Sequence, residues 1–221
     1  MLDGPRRDAA NAPARQLVVL LHGYGADGGD LLPLAAEWSG ALPHAAFAAP
    51  HAPEPHPAPG AGRQWFQLIE ASLDLTDAGL VAAVSAAAET VNAFADAELA
   101  RLSLPSDAVA FAGFSQGATV ALETGLSRPQ GCAGVLAYSG ALAGGRVPSL
   151  AGPPPPPVFL RHGEQDTVLP PVLMQIAADA LGAAGITTDA QLVPGLQHGI
   201  DARGADAGAA FLAGLFGGVI L

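Results

Sequence analysis

A chain of 221 residues, half of them hydrophobic, is long enough for one α/β domain with a substantial core, which excludes global disorder. Twenty Asp and Glu stand against nine basic residues, all Arg, for a formal net charge of −11. Such a surface repels phosphate backbones and argues against nucleic acid as a partner.

Residues 1–15 mix Pro, Arg, Asp and Asn without periodicity and read as a flexible N-terminal tail ahead of a single domain over 16–221. No apolar stretch follows Arg6 and Arg7 before Leu17, so no secretory leader is read there and a cytoplasmic location is expected. Gln16 to Leu21 is a continuous apolar run of the kind a buried strand needs, ending at His22-Gly23. Asp27 to Ser39 reads as a helix, with Asp27 or Asp30 to cap it and Leu31, Leu34, Ala35 and Trp38 on one face. Ala45 to Ala49 is a second short strand stopped by Pro50, and His51 to Gly62 a Pro- and Gly-rich loop.

Asp77 to Ala100 is an Ala-rich helix with Leu80, Val84, Ala87, Val91 and Phe94 at helical spacing. Strands follow at Ala108 to Ala112, Cys132 to Tyr138, Val158 to Arg161 and Asp189 to Val193. Helices are expected at Gln116 to Leu126, Pro171 to Ala184 and Ala202 to Phe216. This alternation implies a mostly parallel sheet covered by helices on both faces. The apolar stretch Gly208 to Leu221 is shorter than the roughly 18 residues a spanning helix needs and reads as a last core helix with its tail, so no stable membrane insertion is expected. Cys132 is the single cysteine, which excludes an internal disulfide and a cysteine-based zinc cluster; it reads as a buried small side chain. The prolines at 153–157 read as a stiff connection before a strand.

The sharpest chemical signal is Gly113-Phe114-Ser115-Gln116-Gly117, set between an expected strand and an expected helix. A tight turn there forces the serine into a strained backbone conformation, lifts its hydroxyl above the sheet edge and puts a helix N-terminus behind it. The flanking glycines are needed because a Cβ would collide with the neighbouring elements. A serine nucleophile needs a base and an acid, which in this architecture follow in the order Ser, acid, His.

Only His162 and His198 lie after Ser115, and His162 ends a strand before Gly163, which suits a structural turn. Among Glu123, Glu164, Asp166, Asp179 and Asp189, only Glu164 and Asp166 fall in a loop past the C-terminal end of a strand. Asp166 is the better candidate, since it leaves His198 as the only histidine after the acid. The Gln116 amide is one oxyanion donor, and the early loop Leu21-His22-Gly23-Tyr24-Gly25 supplies the second through the Tyr24 amide, with His22 bracing the loop. The glycines there are no phosphate loop, because the chain has no Lys and hence no G-K-[ST]. Trp65, Phe66 and Leu68 offer an apolar wall suited to short or medium acyl chains on a small-molecule ester.

Five ordered motifs carry a family resemblance: Leu21 to Gly28, Arg63-Gln64-Trp65-Phe66, Gly113 to Gly117, His162 to Pro170 and His198-Gly199. Over roughly 16–216 the chain resembles the bacterial phospholipase/carboxylesterase family, relatives of acyl-protein thioesterases and lysophospholipases. The resemblance implies a compact α/β-hydrolase without a large cap domain, and a serine carboxylesterase that uses no metal or other cofactor. It implies a Ser115, Asp166, His198 triad with the Tyr24 and Gln116 amides as oxyanion hole. It also implies that Trp65 and the segment to Leu75 line the acyl pocket, with Val168 and Leu169 nearby, and it is compatible with a homodimer. Lysophospholipase or acyl-protein thioesterase activity is the alternative, and a non-catalytic hydrolase-fold binding protein the remote one. Departures are the proline run, Arg161 where an apolar residue is commoner, and Leu196-Gln197 before His198.

Overall fold

The structure is a computed structural model that describes residues 2–68, 74–149 and 154–217. In chain order it contains β1 (Arg6–Arg7), β2 (Gln16–Leu21), α1 (Leu32–Trp38), β3 (Ala45–Ala48), β4 (Glu54–Pro55), β5 (Arg63–Gln64), α2 (Ala78–Leu102), β6 (Val109–Phe114), α3 (Gln116–Ser127), β7 (Gly134–Tyr138), β8 (Val158–Gly163), α4 (Val172–Ala183), β9 (Thr188–Val193) and α5 (Ala202–Leu215). Seven strands form one sheet in the order β1-β3-β2-β6-β7-β8-β9. Every pairing in it is parallel except the edge pair β1–β3.

Because side chains alternate across a strand, the central strands feed two cores. Leu17, Val19, Leu21, Phe111 and Val135 face α2, α3 and α4, where Val84, Val91, Phe94, Leu122, Met174 and Leu181 meet them. Val18, Leu20, Phe47, Leu136, Tyr138 and Phe159 face the opposite way, onto Leu34 and Trp38 of α1 and Leu212 of α5. Helix α2 is long and apolar enough to cross a membrane by length and composition. Here Val84, Ala87, Val91, Phe94, Ala95 and Leu99 are buried in the first of these cores.

Three local expectations are corrected. Residues 1–15 are not a loose tail throughout. Arg6 and Arg7 pair with Ala48 and Phe47, covering the open edge of β3, and the Arg6 guanidinium donates to Glu98 Oε1 at 2.9 and 2.8 Å. The helix expected from Asp27 splits into a 3₁₀ turn, Gly28–Leu31, and α1, because Pro33 fits only the first turn of an α-helix. Asp27 and Asp30 form a capping box on that 3₁₀ turn. Within the loop after Pro50, Glu54–Pro55 pair with Arg63–Gln64 as a small separate hairpin. Cys132 is half-buried, and burial pushes its thiol up to about 12, which leaves it unreactive at neutral pH.

The chain leaves β2 for β3 on one side and later adds β6 on the other, so the strand order reverses between β2 and β6. In open α/β sheets that reversal opens a crevice at the C-terminal ends of the strands. The loops after β2, β6, β8 and β9 all emerge at that edge, and they carry Tyr24, Ser115, Asp166 and His198.

Candidate active site

Ser115 sits between β6 and α3 at φ 55° and ψ −119°, a conformation rare for a residue with a side chain. Its amide donates to the Tyr138 carbonyl, and its own carbonyl accepts from Ala118 and Thr119 as α3 begins. The two flanking glycines make the turn possible: a Cβ on Gly113 would collide with the Gly117 carbonyl, and one on Gly117 with the Leu21 and His22 carbonyls. The bend therefore aims Oγ out of the sheet edge.

His198 lies in the loop between β9 and α5, with its ring between serine and acid. Its Nε2 is 2.9 Å from Ser115 Oγ and its Nδ1 is 2.7 Å from Asp166 Oδ2. With Asp166 ionised, Nδ1–H donates to the carboxylate, and Nε2 is left as an acceptor for the Ser115 hydroxyl. The Asp166 side chain has no solvent exposure, and its Oδ1 accepts from the Val168 and Leu169 amides at 2.9 Å each. Burial pushes this carboxyl up, but the His198 hydrogen bond and the two amides outweigh it, leaving it below the usual carboxylate value.

Contacts with β8, with Arg161 and with Phe114 hold the His198 loop. Gln165 N donates to the Leu196 carbonyl at 2.9 Å, and a Cβ on Gly163 would strike the Leu196 and Gln197 carbonyls, so the loop rests directly on β8. Asp201 caps α5 and receives the Arg161 guanidinium at 2.9 and 3.1 Å, while Arg161 Nη1 donates to Gln191 at 2.6 Å. The Phe114 ring lies 4.8 Å from the imidazole, centroid to centroid. Arg161, one of the departures from the family pattern, thus ties the far end of the His198 loop to the sheet.

The loop after β2 is braced as the residues imply. His22 is fully buried: its Nδ1–H donates to the Gly23 carbonyl at 2.8 Å, and Nε2 accepts from the Ala52 amide at 3.0 Å. Burial pushes this imidazole below its ordinary value, partly offset by the Gly23 bond, so it is neutral. Neighbouring amides are committed, Gly25 N to Arg63, Ala26 N to Gly23 and Ser115 N to Tyr138; among the described residues the Tyr24 and Gln116 amides take no part in that network. As the first residue of α3, Gln116 has no intrahelical acceptor for its N–H.

A cavity of about 530 Å³ opens beside Ser115, lined by Tyr24, Leu31, Phe114, Val168, His198 and Ile200 among others. Trp65, Phe66 and Leu68, expected at the acyl wall, line instead a neighbouring cavity of about 710 Å³ against α2. The reason is that the backbone here is tied behind the early loop. Trp65 Nε1 donates to the His22 carbonyl at 2.9 Å, and the Gln116 side chain bridges Trp65 N and the Phe66 carbonyl at 2.8 Å each. Leu75 lines neither cavity and offers its carbonyl to Gly144 N; Leu169 is buried in the Asp166 turn. Residues 69–73 of the expected pocket segment lie outside the described residues. Leu31, Phe114 and Ile200 carry no sequence signal as pocket residues, because their apolar character is indistinguishable in sequence from core.

Comparison with known proteins gives the family. The phospholipase/carboxylesterase profile matches residues 5–215. Esterase YpfH of Escherichia coli is 32% identical over 192 residues, 86% of this chain and 79% of that protein. Acyl-protein thioesterase 1 of Saccharomyces cerevisiae is 29% identical over 186 residues, 76% of this chain and 78% of its own. Among solved structures, esterase PE8 superposes with a TM-score of 0.86 at 35% identity, covering 97% of this chain and 99% of its own. SOBER1 of Arabidopsis thaliana does so at 0.76 and 26%, covering 92% and 100%. By that profile match and that relative, the chain belongs to the phospholipase/carboxylesterase family.

Proposed function

We propose that this protein is a serine carboxylesterase that hydrolyses short- to medium-chain esters of small alcohols through an acyl-enzyme. The observation that carries the reading is the unbroken relay from Ser115 Oγ through His198 to Asp166, at 2.9 and 2.7 Å, in a chain similar to known esterases. His198 Nε2 takes the Ser115 proton as Oγ attacks the ester carbonyl. The tetrahedral oxyanion rests on the Tyr24 and Gln116 amides and on the N-terminal dipole of α3. Protonated His198 then gives its proton to the departing alcohol, and water repeats the sequence on the acyl-Ser115 ester. Asp166 fixes the imidazole tautomer and stabilises its charged form. The cavity beside Ser115, about 530 Å³ and largely apolar, suits a modest acyl group.

Thioester hydrolysis is the second reading, favoured by the likeness to an acyl-protein thioesterase. Initial rates on p-nitrophenyl acetate, butyrate, octanoate and palmitate, beside a lysophospholipid and a palmitoyl thioester, separate the two. Turnover should peak on the short and medium esters and fall roughly 10⁴-fold or more in Ser115→Ala. A maximum on the palmitoyl thioester would move the reading to a thioesterase. Turnover that survives Ser115→Ala would sink both.

A further inference from the structure

His162, which the relay does not use, is a buried histidine beside its acid. It is 1% exposed on β8, and its Nε2 lies 2.8 Å from the Leu169 carbonyl and 3.1 Å from Asp166 Oδ2. Both neighbours are acceptors only, so that nitrogen must carry a hydrogen. Among the described residues its Nδ1 is buried with no hydrogen-bond partner. A hydrogen on Nδ1 would be a stranded donor, which costs more than a bare lone pair. In the neutral ring the single hydrogen therefore sits on Nε2.

That hydrogen closes a circuit around the acid. His162 Nε2–H donates to the Leu169 carbonyl, and the Leu169 and Val168 amides donate back to Asp166 Oδ1. Oδ2 is left between two imidazoles: His198 Nδ1 at 2.7 Å and His162 Nε2 at 3.1 Å. The turn over 166–169 has no regular secondary structure of its own, so the β8 histidine anchors it to the sheet.

We propose that His162 is a positioning residue for the esterase relay: it holds the Asp166 turn so that Oδ2 meets His198 Nδ1, and its Nε2–H is what does so. The inference rests on the serine-esterase reading for its kinetic consequence, but its tautomer claim does not. His162→Met keeps bulk and removes the N–H; His162→Gln keeps an N–H at a similar reach. With kcat counted per site titrated by a fluorophosphonate, His162→Met should lose about 10- to 100-fold in kcat with KM within about two-fold, as expected for a misplaced catalytic group. His162→Gln should recover most of that loss. Equal impairment of the two variants, or a Met variant within two-fold of wild type, overturns the proposal.

Imidazole ¹⁵N NMR of the wild type needs no variant to fold. The proposal requires a protonated Nε2 and a bare Nδ1 at His162 at pH 7.5, and the opposite tautomer refutes it. Loss of the esterase reading would appear separately, as serine-independent turnover, and would leave the NMR result untouched.

Discussion

The two loops that meet at Ser115 are built in opposite ways. The turn from β6 into α3 is made by five consecutive residues, and its shape follows from two glycines that leave no room for a Cβ. The loop from β9 to α5 has no such internal logic. It rests on Gly163, on the Arg161–Asp201 ion pair and against Phe114, all distant in sequence. A local turn breaks when its own residues change; a loop held by tertiary contacts breaks when its supports do. Ser115 is thus shaped by its own turn glycines, Gly117 packed on the Leu21 and His22 carbonyls, while His198 is positioned at a distance.

Gly117→Ala should have the largest effect on this contrast. The added methyl meets the Leu21 and His22 carbonyls, which are backbone and cannot swing aside. Overpacking of this kind costs about 3 kcal/mol, and both loops carrying the expected oxyanion donors would shift. Little folded, active protein is expected, and thermal melting with fluorophosphonate labelling measures it. A variant that labels at the wild-type rate would show that the turn tolerates what the geometry forbids.

Arg161→Met should act on the other loop and more mildly. Asp201 loses its guanidinium partner, at a cost of about 1–3 kcal/mol, and the imidazole loses part of its support. A roughly ten-fold fall in kcat with little change in KM is expected. An unchanged kcat would mean that Gly163 and Phe114 suffice to hold the loop.

The smallest effect is a pH dependence in the early loop. His22 is buried neutral, and burial sets its value below the ordinary 6.5. The unfolded chain therefore binds a proton more readily than the folded one, and stability falls as pH drops below 6.5 towards the folded value. His22→Gln should cost about 1–2 kcal/mol at pH 7.5, and that gap should narrow on the acid side. Melting curves at pH 7.5, 6.5 and 5.5 for both proteins give the comparison, and a constant gap would remove His22 as its source.

Much of the architecture is legible in the sequence. The strands from Gln16, Ala45 and Val158 and the helices from Gln116 and Pro171 could be read from apolar runs and helical spacing, which report burial directly. So could the turn at Ser115, because G-x-S-x-G between a strand and a helix is a steric statement. The pairing of Arg6 with Glu98, the commitment of Trp65 to His22 and the placement of Arg161 on Asp201 could not. Each joins residues far apart in sequence, and nothing in either partner's local context encodes the other.

The pair expected as acid and base illustrates the boundary. Chain order and loop position singled out Asp166 and His198, but their approach within 2.7 Å depends on β8 and β9 being parallel neighbours, with Gly163 bearing directly on the His198 loop. His162 read in sequence as a structural turn at a strand end, and only its buried surroundings disclose which nitrogen bears the hydrogen. Local sterics and periodicity belong to the sequence. Hydrogen-bond partners and cavity walls belong to the tertiary fold, because they depend on which distant elements are brought to the same edge of the sheet.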